Sequence, residues 1–230
     1  MSGGGSPLRP VTKRKNAGST RFSDASRSSP IVYRDEQETN ELDHRSHGSK
    51  FSRTVKPRAV AVAIPIEILP SSSETSTVTA ERLRIHLVSS RKHSGKYVLP
   101  KGGVETGETS RQAAVRELWE EAGLIGEPHP SSAAASISHT APADLIIDDH
   151  KPHKNSPAVH AGDQGFVPRA RYTGHEVLLA AEDAVREDWP EARQRQRKSF
   201  TVQEAEKALD WRKDIHAIFK RWAAGVPHDT

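Results

Sequence analysis

From Gly102 to Leu124 the chain reads GGVETGETSRQAAVRELWEEAGL, and the stretch Arg116-Glu117-Leu118-Trp119-Glu120-Glu121 within it packs three carboxylates and a guanidinium into six positions. A helix turns once per about 3.6 residues, so Glu117, Glu120 and Glu121, at i, i+3 and i+4, project from one face. Three like charges there repel, which destabilises an isolated helix and raises at least one carboxyl pKa. A hard divalent cation among the oxygens turns that repulsion into coordination, so the arrangement reads as a magnesium site, with Mn2+ as the alternative ion. Thr109 or Ser110 can cap the helix at its start, and Gly123 can end it in the left-handed conformation. Val115, Leu118 and Ala122 then supply a buried face beside the acidic one.

Working outward, AVAVAIPIEI after Arg58 is rich in small apolar and β-branched residues and predicts a strand. Pro70 to Thr79 is mostly Ser and Thr and predicts a turn. Arg82 to Ser89 (RLRIHLVS) alternates basic and aliphatic residues, a half-buried strand with Leu83, Ile85 and Leu87 inward. Lys96 to Leu99 predicts a short strand leading into Pro100-Lys101-Gly102-Gly103, a loop whose glycines let backbone approach a ligand closely. Beyond the helix, residues 127–169 are rich in Pro, Ser, Ala and His, with Ala143 to Ile147 as a short strand inside them. So long an irregular stretch reads as an insertion. Its histidines His139, His150, His153 and His160 lack regular ligand spacing and read as a solvated loop. Arg171 to Ala180 recovers strand character, Trp189-Pro190-Glu191 makes a turn, and RQRQRK follows. Thr201 to Leu209 starts as a capped helix, and Ala205, Ala208, Leu209, Ile215, Ile218 and Phe219 form its apolar stripe. Strands flanking a central helix, then a terminal helix, predict an α/β/α sandwich with a mixed sheet.

Composition bounds this picture. The 230 residues are 34% hydrophobic, low for a chain folded throughout, and mean hydropathy is −0.70. Residues 1–56, rich in Ser, Gly, Arg and Asp, are expected to be a disordered tail, residues 57–223 the folded domain and residues 224–230 a second tail. Without cysteine, neither a disulfide nor a thiolate metal site can form, which fits a reducing compartment. The start MSGGGSPLRP has no apolar core of a secretory signal, and no apolar run reaches the length of a membrane span. A cytoplasmic protein with no membrane partner is expected. Lys13-Arg14-Lys15 fits part of a nuclear import signal, although a solvated basic tail is the commoner origin of such a cluster. Net charge of +4 favours polyanionic partners in general without choosing among them.

The segment Gly102 to Leu124 fits G-x5-E-x7-R-E-U-x-E-E-x-G-U, with U aliphatic, at every specified position. A salt-bridged surface helix would explain the charges, but not the Gly-Gly start, the Gly123 stop and the spacing together. The pattern resembles the Nudix box, the signature of hydrolases that cleave nucleoside diphosphates linked to another moiety and related pyrophosphates. The resemblance implies Glu117 and Glu121 directly on Mg2+, the Gly102 carbonyl as a further ligand, and Glu120 as either a third ligand or the general base, with the base role favoured. It places Arg116 as a holder of the glutamate array, paired with Glu108.

Ser89-Ser90-Arg91-Lys92-His93, Tyr97 to Glu105, and Trp189-Pro190-Glu191 with the Arg-x-Arg run are similar to the fungal diphosphoinositol polyphosphate phosphohydrolases, which also cleave diadenosine polyphosphates. That narrower resemblance implies an inositol pyrophosphate or a dinucleoside polyphosphate as substrate. Such substrates need several cations near the metal helix. The candidates are Lys101, Arg91 and Lys92 before the box, Arg197 and Lys198 after it, and the Gly103 backbone, with Lys101 foremost because its loop must meet the pyrophosphate. Arg193 and Arg195 belong to the same second basic cluster. Capped RNA is the alternative substrate, although a base needs an aromatic shelf and aromatics are only 5% of the chain. A Nudix-fold module that binds a phosphorylated metabolite without cutting it would be marked by a lost box carboxylate, and none is missing. A nucleic-acid-binding protein would leave the glutamate helix unexplained.

Overall fold

Strand β1, Arg58–Ile68, is the axis of the molecule, and its run of small and β-branched side chains is buried on both faces from Val60 to Ile66. In this computed structural model residues 54–70, 78–128, 137–179 and 184–228 are described. The expected tail up to residue 53, Lys13-Arg14-Lys15 included, and most of the Ser/Thr turn lie outside them. β2 (Leu83–Ser89), β3 (Tyr97–Val98) and β4 (Lys101–Gly103) precede helix α1 (Ser110–Ala122). β5 (Gly126–Pro128), β6 (Ile146–Asp148), β7 (Ala170–Leu179), β8 (Arg197–Phe200), α2 (Val202–Leu209) and α3 (Lys213–Ala224) follow.

The sheet is mixed. β7 runs parallel to β1 from Arg58↔Ala170 to Ile66↔Leu178, and every other pairing is antiparallel. One edge of β1 is shared: its first half pairs with β4 (Ala61↔Gly102) and its end with β2 (Ile66↔Ile85). The pleat of β7 shows how the layers stack, because alternate side chains leave opposite faces. His175 meets Ser110 Oγ of α1 at 2.8 Å, whereas Glu176 accepts a hydrogen bond from Trp222 Nε1 of α3 at 2.7 Å. A Cβ at Gly174 would press on Ile218 of α3. Helix α1 therefore covers one face and α3 the other, the α/β/α sandwich expected, with Trp222, Phe219, Leu118 and Ile64 fully buried between layers.

Several local expectations are corrected. Lys101-Gly102-Gly103 is a strand rather than a loop; glycines carry no periodicity, and backbone pairing with β1 makes the element. β2 is buried on both faces, since His86 and Val88 are covered as well as Leu83, Ile85 and Leu87. Val115 is only partly buried: α1 is rolled so that Ala114, Leu118, Glu121 and Ala122 face the sheet. The C-terminal stripe belongs to two helices, because Ile215 stands six residues after Leu209 and is out of phase with the first stripe. β8 was not expected within the basic run. Within the insertion the strand is Ile146–Asp148, preceded by a single 3-10 turn at Pro142–Leu145.

The insertion is tied to the body at both ends. Glu176 accepts from the backbone N–H groups of Ile137 and Ser138, and buried Asp149 pairs with Arg169 across the neck of the loop that leaves β6 and returns to β7. His139, His150 and His160 are exposed, and His153 Nδ1 accepts from the Asn155 N–H. Residues 224–228 are not a free tail: Val226 is buried, and the Pro227 carbonyl accepts from Ala80 N–H at 2.8 Å. Among the described residues no helix is long and apolar enough to cross a membrane.

Burial, and then Arg111, push the His175 imidazole down to about 4. The unfolded ring, near 6.5, binds a proton that the folded ring does not between these values, so this stability is fully present above about pH 6.5 and falls toward pH 4. Urea unfolding across that window should show a loss of up to about 3 kcal/mol from this ring, reduced in His175→Gln. Equal acid sensitivity in both proteins would contradict it.

Candidate active site

Helix α1 presents its acidic side to the β4 edge of the sheet because both ends of the helix are determined locally. Thr109 and Gln112 form a reciprocal capping box, and Gly123 closes the helix at φ 61°. Between them Glu117 and Glu121 border a cleft of about 420 Å3, with Lys101, Gly102 and Gly103 along the facing strand. The Glu117 carboxylate lies where a Cβ on residue 102 would be, so glycine is required there for the carboxylate to reach its place. Burial pushes the carboxyl groups of Glu117 and Glu121 above the usual range, against the pull of Arg116 on the first and of Lys101 and Arg195 on the second.

Arg116 ties the array to the loop before it. Its guanidinium donates to both Glu108 oxygens at 2.8 and 3.2 Å, to Glu117 at 2.9 Å, to Glu120 at 3.2 Å and to the Gly103 carbonyl at 2.9 Å. Arg116 holds the Glu108 carboxyl below its ordinary range. The Arg116 and Glu108 partnership thus stands in the geometry, with the guanidinium touching two box glutamates directly. Glu120 is drawn to this outer side: it is an i, i+4 partner of Arg116, its side chain is 42% exposed, and it does not line the cleft. Among the described residues no three acidic or histidine side chains converge on one point. Glu117 and Glu121, a full turn apart, face the cleft as a pair, and Glu120 is not among the residues that line it.

The basic candidates divide. Lys101, Arg91 and Lys92 line the cleft, and burial lowers the Lys101 ammonium below the usual lysine range. Arg197 and Lys198 do not line it. Arg197 donates to the carbonyls of Ala122 and Gly123, orphaned at the end of α1, and lies over the Trp189 ring, while Lys198 lies over Phe200. Their place in β8 carries them to those contacts.

The cleft also holds residues not named as site candidates from sequence. Arg195 is buried and bonded to Glu121, Glu191 and the Ser89 carbonyl. Arg58 sits over Gly103, and Arg212, paired with Asp214, reaches toward the Tyr172 hydroxyl. Arg58 and Arg212 stand at element ends outside any motif, so spacing carried no signal for them. Arg195 was visible only as one member of a basic run whose members diverge in space. Among the described residues Arg58, Lys92 and Lys101 have no ion-pair partner.

The family model described as NUDIX domain matches residues 75–222. The chain is 28% identical over 162 residues to Nudix hydrolase 16, mitochondrial, of Arabidopsis thaliana, covering 68% of this chain and 76% of that protein. It is 46% identical over 50 residues to an RNA pyrophosphohydrolase of Roseobacter denitrificans, a match to 22% of this chain and 30% of the relative. Among solved structures it is similar to a C. elegans Ap4A hydrolase binary complex at 17% identity and TM-score 0.42, covering 73% of this chain and 96% of that one. With the complete box running from β4 through α1 and the family match across most of the folded region, the chain belongs to the Nudix family and is a hydrolase of phosphoanhydrides.

Proposed function

We propose that the protein is a magnesium-dependent pyrophosphohydrolase whose substrates are diphosphoinositol polyphosphates or diadenosine polyphosphates. The observation that carries this reading is the composition of the cleft wall. Glu117 and Glu121 face it, and Arg58, Lys92 and Lys101 border it without ion-pair partners among the described residues. Cations that form no ion pair among the described residues, set around a pair of acidic groups, suit a ligand that brings many negative charges together with a divalent ion. Tyr172, the one Tyr, Phe or Trp side chain lining the cleft among the described residues, is buried and offers no open face to a base, which favours the inositol pyrophosphate. The diadenosine reading keeps one support: exposed His93, at the cleft, has its ring 4.8 Å from Trp211.

The donor set fits a hard cation. Glu117, Glu121 and the Gly102 carbonyl would hold it, oxygen ligands of the kind Mg2+ takes. Such an ion, when bound, neutralises phosphoryl oxygens and makes a coordinated water more acidic. The chain supplies the rest. Glu120 accepts the proton of the attacking water, whose oxygen bonds to phosphorus as the bridging P–O bond breaks and the leaving phosphate departs. Lys101 and Arg58 bind the anhydride from the facing strands, and Arg91 and Lys92 hold more distant phosphates. Arg116 positions Glu117 and Glu120 without touching substrate.

Three outcomes are expected. Glu120→Gln should lower kcat by about 1,000-fold with an unchanged circular dichroism spectrum, and a near-normal rate would remove Glu120 from the base role. In Gly102→Ala only the tip of the Glu117 side chain must move, so the protein should stay folded while its activating Mg2+ concentration rises at least about tenfold; an unchanged requirement would take Glu117 off the metal. Turnover with Mg2+ on an inositol pyrophosphate, diadenosine hexaphosphate and capped RNA, with Glu121→Gln as the inactive control, should rank the inositol pyrophosphate first. Preference for capped RNA would replace the substrate assignment.

A further inference from the structure

Glu121 is an unusual metal-ligand candidate because both of its oxygens are already engaged by the protein. One accepts the Lys101 backbone N–H at 3.1 Å, and the other is paired with Arg195. Arg195 is held in turn. Its Nε donates to Glu191, its Nη1 donates to the Ser89 carbonyl at 3.0 Å, and its side chain is only 4% exposed. Glu191 uses its other oxygen to accept from Arg91 at 2.8 Å, and Arg91 is half exposed at the cleft lip. The acceptors lie on three separate segments, so all three guanidinium nitrogens are fixed and the group cannot swing out without abandoning buried partners.

We infer that Arg195 is a positioning residue for the metal site, holding Glu121 in its ligating orientation, with Glu191 holding Arg195. This rests on the metal reading above. A carboxylate oxygen has two lone-pair directions, so each Glu121 oxygen that accepts one hydrogen bond keeps one direction for a cation. Geometry gives Arg195 this task because α1 is rolled toward the sheet, which buries Glu121, and a buried carboxylate without a countercharge is costly. Arg116 holds Glu117 from the outer side of the helix, and Arg195 holds Glu121 from the inner side. The two guanidinium groups therefore brace the two candidate ligands, and Arg195 does so from within the cleft lining. Glu191, two residues after Trp189 in a turn whose backbone is bonded to the Glu120 carbonyl, anchors this inner brace to α1 itself.

The test is Mn2+ binding to the full chain without substrate, by electron paramagnetic resonance and calorimetry. Arg195→Ala should weaken Mn2+ binding by about 10- to 100-fold, Arg195→Lys should recover only part because one ammonium cannot make three divergent contacts, and Glu191→Gln should lose several-fold. If Arg195→Ala does not fold, the Lys and Gln variants carry the test. Unchanged Mn2+ affinity in the folded variants, with a raised KM for substrate, would make Arg195 a substrate contact and overturn the inference. A wild-type protein that binds no Mn2+ would overturn the metal reading itself and this inference with it.

Discussion

Packing of α1 against the glycine strand β4 is the constraint on which the rest of the site depends. It brings a helix surface carrying Glu117 and Glu121 against a strand with two glycines, and Gly102 leaves the volume that the Glu117 carboxylate occupies. Burial of charge at this contact is unfavourable by itself, and two arginines offset it from opposite sides. Burial outweighs those cations, so both carboxyl groups sit above the usual pKa range although each has a cation beside it.

The sheet supports this contact from behind. β1 pairs with β4 along its first half and with β7 over nearly its whole length, so the strand carrying Lys101, Gly102 and Gly103 is registered on the best-buried element in the molecule. The family match begins at residue 75, yet β1 lies before it and provides that register, together with Arg58 at the cleft. On the opposite face α3 anchors β7 through Trp222 and Glu176, and the same carboxylate holds Ile137 and Ser138 of the insertion. The insertion is irregular in secondary structure but tethered by buried groups at its two ends.

Charge in the cleft is arranged by topology. Arg91, Lys92 and Lys101 come from the chain just before the box, Arg58 from the start of β1, Arg195 from the segment before β8, and Arg212 from the break between α2 and α3. That break places a cation at the cleft, where a continuous helix would have kept its stripe in phase. Arg197 is spent on the end of α1, two residues from Arg195 but with a different task.

Local chemistry in the sequence determined the helix α1 with both its caps, the acidic face, the partnership of Arg116 with Glu108, the sandwich class and most strands, because capping, helical period and aliphatic alternation act within a few residues. Only the tertiary structure decided that Gly102 and Gly103 form a strand, that Glu120 pairs with Arg116 and does not line the cleft, that Arg195 rather than Arg197 reaches the carboxylates, and that Arg58 and Arg212 complete the cleft. Those outcomes depend on which charged groups meet across the sheet and on which of them are buried, and neither is encoded in spacing along the chain.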